Sequence, residues 1–152
     1  MSASIIDVAK YILVKCGSMS SMKLQKLCYY AQAWSLAWDD SPLFPEDFYA
    51  WKSGPVCPEL YRGTAGREIY FVKDSSVGGD ATIFHDTEIE TLDRVLEYYG
   101  DRDGGWLMRL TILEDPWRQA WEYSQAENPR IISKESVKEY YKNLKEKEEN
   151  VN

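Results

Sequence analysis

Histidine is nearly absent from this chain, cysteine is sparse, and positive charge is outnumbered by negative. One histidine (His85) and three cysteines (Cys16, Cys28 and Cys57) stand among 152 residues. No Ser, Cys or Asp pattern surrounds His85 to make it a general base, so it reads as a loop or capping residue. The cysteines and His85 do not form a zinc knuckle, because no two thiols are separated by the two to four residues that present them from one turn. An odd number of thiols without a tight framework, two of them in helical segments, fits buried cysteines in a reducing compartment. Lys and Arg number 18 against 25 Asp and Glu, a net charge of −7. No basic stripe is available to displace counterions from a phosphate backbone, so direct nucleic-acid binding is not expected. An acidic surface suits a basic protein partner, or imitates nucleic acid in a partner's basic groove. No apolar run approaches the ~18 residues of a membrane span. The opening Met-Ser-Ala-Ser-Ile-Ile-Asp is too acidic and too short in apolar length for a signal peptide, and a cytoplasmic protein is expected.

Several sequences come near a chemical motif without completing one. Asp101-Arg102-Asp103-Gly104 begins like a calcium loop, but its register is wrong. Ser75 to Asp80 is glycine-rich but has neither the spacing nor the lysine of a phosphate-binding loop. The pairs Glu46-Asp47 and Glu114-Asp115 sit at element starts, where a helix dipole favours negative charge. Neither a metal nor a cofactor is expected, and no catalytic residue is assigned.

What is present is aromatic: six Trp and 11 Tyr in a chain that is 44% apolar. The length suits one compact domain. Ser4 to Lys15 predicts a helix with an apolar stripe at Ile5, Val8, Ala9, Ile12 and Leu13, capped by Ser4 and ended by Gly17. Ser20 or Ser21 caps a second helix, Met22 to Trp38. It is apolar on more than one side and is therefore central. Phe48 to Trp51 reads as a short strand, Gly54-Pro55 as a turn, and Pro58 as the start of a short helix. Residues 62–81 read as a loop with one strand at Ile69 to Val72, pairing with Ala81 to Phe84.

Thr87 with Glu90 makes a capping box for a helix to Tyr99. Ile89, Leu92, Leu96 and Tyr99 point inward, while Glu90, Asp93 and Glu97 share an outward acidic face. A further helix covers about Gly105 to Leu113. Asp115 then caps one opened by Pro116, through Trp117 and Trp121. Ser133 caps the last, Lys134 to about Glu149, docked by Val137, Tyr140, Tyr141 and Leu144. Its charged end has little to bury and is expected to fray. The fold class is mainly α, with a small β-hairpin or short strand element. Residues 1–132 form the domain and 133–152 a charged C-terminal helix.

Lys23, Lys26, Tyr29, Tyr30, Tyr49, Trp51 and Trp117 are more aromatic and basic surface than a small core easily absorbs. Tyr, Trp and Arg anchor interfaces, so these residues are candidates for a protein-binding surface.

Two stretches carry a resemblance. Lys23-Leu24-Gln25-Lys26-Leu27-Cys28-Tyr29-Tyr30-Ala31-Gln32-Ala33-Trp34 and Pro42-Leu43-Phe44-Pro45 through Ala50-Trp51-Lys52-Ser53-Gly54-Pro55-Val56, with Glu114-Asp115-Pro116-Trp117 behind them, resemble the SocA-like or GepA-like Panacea antitoxin domain. The resemblance covers about residues 4–125. It implies a mostly helical, non-enzymatic antitoxin that binds a toxin, in one member by delivering it to a ClpXP protease. Phage-associated relatives suggest an alternative, an acidic inhibitor of a host defence nuclease. The resemblance carries over to Lys23, Leu24, Gln25, Lys26 and Tyr29 in the helix, to Trp51, Gly54, Pro55 and Val56 after it, and to Pro116 and Trp117. The family's Thr-His pair is here Thr111-Ile112, which weakens an enzymatic reading further.

Overall fold

The computed structural model describes residues 3–64, 72–124 and 128–151, the last four by backbone alone. It is mainly helical, with α1 (Ile5–Cys16), α2 (Ser21–Asp39), α3 (Pro58–Thr64), α4 (Asp86–Tyr99), α5 (Gly104–Ile112), α6 (Asp115–Glu122) and α7 (Lys134–Val151). Three short strands, β1 (Phe48–Trp51), β2 (Gly54–Val56) and β3 (Ile131–Ile132), form an antiparallel sheet in the order β2-β1-β3.

The organising element is α2. It packs on α1, α3, α4, α5, α7 and β2. Every residue from Leu24 to Ala37 is buried, so the many-sided apolar pattern did mean a central helix. Ser20 caps it through the Lys23 N–H at 3.1 Å. In α1, Ser4 and Asp7 form a reciprocal capping box, and the whole predicted stripe is buried. At the far end, α7 makes its main contacts with α2, burying Val137 and Tyr141. The segment after residue 132 therefore contributes to the core.

Four local expectations are corrected. The cap of α4 is His85, with Glu88 accepting from its backbone N–H at 2.9 Å, in place of Thr87 and Glu90. The cap of α6 is Glu114, with Pro116 in the first turn. Gly54 and Pro55 begin β2 rather than forming the turn, and Gly54 pairs with Trp51 across the hairpin. Val72 bridges to Met19, just before α2, and not to residues 81–84, which form no strand. The rest of the strand expected at Ile69 to Val72 lies outside the described residues. The end of α7, expected to fray, is helical in its backbone through Val151, with Glu146 and Lys147 exposed.

Candidate partner-binding site

The polar residues of the second helix are engaged inside the protein. Gln25 donates from Nε2 to the Cys57 carbonyl at 3.1 Å and accepts the Cys57 N–H at 2.9 Å. Gln32, two turns later, donates to the Phe44 carbonyl at 2.8 Å and accepts the Leu43 N–H at 2.8 Å. Each side-chain amide thus replaces a strand partner for a buried loop, because an unpaired buried backbone group is costly. Replacing Gln25 by alanine leaves one N–H and one C=O unpaired, and replacing Gln32 also frees the Phe44 N–H, which reaches its Oε1 at 3.4 Å. An expected loss of about 2–3 kcal/mol would appear as a lower urea midpoint at an unchanged slope.

The proposed binding set does not come together on the surface. Gln25, Lys26, Tyr29, Tyr30, Gly54, Pro55 and Trp117 are all buried. Lys23 and Tyr49 are half-buried, and Trp51 is 42% exposed. The physical reason is the position of α2, which has neighbours on every side. Aromatic content that looked excessive for a small core is absorbed by ring packing: Tyr30 stacks on Tyr99 at 4.2 Å, and Tyr29 meets Phe48 edge-on at 5.3 Å.

Lys26 is 1% exposed and donates from Nζ to the Pro55 carbonyl at 3.0 Å. Burial alone pulls its ammonium down to about 7. A second buried ionisable group is Glu114, 6% exposed. Tyr30 and Tyr141 both donate to its Oε1, at 2.7 and 2.6 Å. Burial raises its carboxyl above the usual carboxylate range, and the two hydroxyls oppose that rise. Its Oε2 takes no hydrogen bond among the described residues. The Tyr29 hydroxyl is buried beside Tyr141 without reaching hydrogen-bond geometry.

Glu114 lies on the floor of a groove of about 1250 Å³. One wall is α4 and the other is α7; the floor is the end of α2 and the turn after α5. Both walls pack on α2 but scarcely touch each other. Glu90 and Glu97 lie on the α4 wall, two turns apart on one helical face. Asp93, placed with them by the sequence pattern, is occupied elsewhere: it accepts from Tyr11 Oη at 2.5 Å and lies 4.0 Å from Lys15 Nζ. Along the groove Trp34 stacks on Trp38 at 4.8 Å, and Arg94 lies over the Trp38 ring at 4.1 Å. On the lips, Tyr98 is 63% and Leu113 70% exposed.

A second aromatic surface involves β1, α6 and β3. Trp117 donates to the Trp51 carbonyl at 2.9 Å, and Trp121 stacks on Trp117 at 5.2 Å. Tyr123 and Ile131 stand exposed around it. Residues missed by sequence reasoning are Glu114 as a buried acid, the exposed Tyr98 and Leu113, and Arg94. Only the Glu-x-Pro-Trp wording around Glu114 could have pointed to it.

Of the three thiols and the histidine, Cys28 and Cys57 lie near enough to interact, while Cys16, expected to be buried, is exposed. Cys28 and Cys57 are buried, and His85 is exposed at the start of α4. Among the described residues no group of three or more His, Cys, Asp or Glu is placed to hold a metal ion. No helix among them is long and apolar enough to cross a membrane.

The model of a protein family described as "Antitoxin SocA-like, Panacea domain" matches residues 24–118, 95 of the 152 residues. The chain belongs to that family. No curated protein and no solved structure matches it.

Proposed function

We propose that this chain neutralises a cognate protein toxin by binding it directly, with no covalent chemistry of its own. The observation that carries this reading is membership of an antitoxin family across the α2-to-α6 core. The layout of the molecule supports it. Most of the motif residues are buried in the fold, while two aromatic surfaces, one of which includes the exposed motif residue Trp51, are left for recognition, and protein interfaces favour Tyr and Trp. Binding can act by blocking the toxin's active surface or by presenting the toxin to a protease. The two modes differ in toxin lifetime.

The test is co-expression. Each small open reading frame beside the gene is expressed with and without this chain, and growth is recorded. Restored growth with one toxic partner, together with a stoichiometric purified complex, is the expected result. A toxic neighbour that this chain neither binds nor silences would refute the reading. Toxin levels followed after translation arrest then separate blocking, where the toxin persists, from delivery, where it disappears.

A further inference from the structure

We propose that the groove between α4 and α7 seats an amphipathic helix of the partner, with basic residues along the flank that meets α4. This rests on the toxin-binding reading and gives it a place and a chemistry.

Three observations carry it. The first is shape. Two helices lie on a shared floor with a gap between them, and a helix is about 10 Å across. A third helix laid in the gap would complete the layer, as in other helix-in-groove complexes. The second is the exposed apolar rim. Tyr98 and Leu113 stand exposed on the lips, with Leu110 and Leu144 half-buried behind them. An incoming apolar stripe would remove this surface from water.

The third observation is charge. The groove is lined by four carboxylates, Asp39, Glu90, Glu97 and Glu114, against two cations, Arg94 and Lys145. Arg94 is already stacked on Trp38. Glu90 and Glu97 make no ion pair among the described residues. On the floor, Glu114 has two tyrosines on one oxygen and no hydrogen bond on the other. A Lys or Arg reaching down from the partner's helix would supply a charge-assisted donor there. The α7 wall lies beyond the matched segment, which ends at residue 118. Tyr140, Leu144 and Lys145 are therefore the natural place for partner choice to be set, on a groove whose other wall and floor belong to the family domain.

The experiment uses the full chain and two kinds of probe. The first is a pair of synthetic helical peptides with the same leucine stripe, one flanked by lysine and one by glutamate. The lysine peptide is expected to shift the Trp38 indole and Leu144 methyl resonances saturably. The paired reversal Glu90→Lys/Glu97→Lys is expected to weaken it at least tenfold at low salt, and less at high salt. Equal binding of both peptides, or shifts confined to Trp51 and Trp121, overturns the proposal.

The second probe is the toxin identified by co-expression. Tyr98→Arg with Leu113→Arg, both at exposed positions, is expected to abolish neutralisation, while Tyr123→Arg on the other aromatic surface leaves it intact. The reverse pattern, or no effect of either change, overturns the groove but leaves the antitoxin reading standing. If no toxin is neutralised by the unmodified chain, the antitoxin reading fails, and the peptide pair alone decides the groove.

Discussion

Gly54→Ala is expected to lower stability by about 3–5 kcal/mol, from backbone strain and overpacking together. The residue opens β2 with φ at +97°, a region that L side chains rarely adopt. A Cβ there would stand 2.8 Å from Thr111 Oγ1 and 2.9 Å from Lys26 Cε. Neither neighbour can retreat easily. Thr111 is buried and donates to the Met108 carbonyl at 2.7 Å, and Lys26 is held on the Pro55 carbonyl. The two causes can be separated. Thr111→Ala removes the nearer clash and leaves the strain, so the double variant Gly54→Ala/Thr111→Ala should recover only part of the loss. Chemical unfolding of the two single variants and the double variant measures this coupling. Full additivity would mean that the β hairpin simply moves away from α5. The position matters for function because Gly54 lets β2 lie directly against α2 and α5, the two elements that carry the groove floor.

Much of the architecture was legible in the chain because it rests on local rules. The stripe in α1, the buried character of α2, the Ser4 and Ser20 caps and the docking face of α7 follow from periodicity and capping chemistry. The corrections come where tertiary contacts override a local pattern. Glu114 has the look of a helix-start acid, and it is one, but its side chain turns inward to Tyr30 and Tyr141, which arrive from 84 and 27 residues away. Nothing local encodes that. Gln25 and Gln32 occur in a helix where amides are unremarkable. Their bonds to Cys57 and Leu43 exist only because the hairpin and the proline-rich link fold back over α2.

The site was the least legible part. Most of the motif residues that read as a binding surface are buried, so the distinctive wording falls largely on the interior. The exposed Tyr98 and Leu113 carry no motif at all. The acidic face was partly readable: Glu90 and Glu97 do line the groove, but Asp93 is committed to α1 through Tyr11.

Lys26 is expected to make stability depend on pH in a way that few lysines do. Its ammonium has no carboxylate partner among the described residues. Its single acceptor is the Pro55 carbonyl, and burial brings its pKa to about 7. In the unfolded chain a lysine keeps its proton to about pH 10.4. Between these values the native state binds fewer protons than the unfolded state, so the lysine's contribution rises with pH, by at most ~1.4 kcal/mol per unit. Below about 7 both states carry the proton and the destabilisation is constant. The thiols of Cys28 and Cys57 act in the opposite sense. Burial raises both, Cys57 to about 11. An unfolded thiol loses its proton from about 8.5, so these groups withdraw stability above that pH.

The comparison that isolates the lysine is wild type against Lys26→Met. Methionine keeps the apolar stem and loses the titrating group. The difference in unfolding free energy, wild type minus variant, is expected to rise by roughly 3 kcal/mol from pH 7 to pH 9.5. At pH 6 the variant should match or exceed the wild type, since it loses one hydrogen bond but no longer buries a charge. Parallel curves for the two proteins would mean that the amine stays protonated inside the fold. Lys26, the one basic side chain of the motif that is fully enclosed, would then be holding β2 to α2 as a buried cation rather than as a neutral donor.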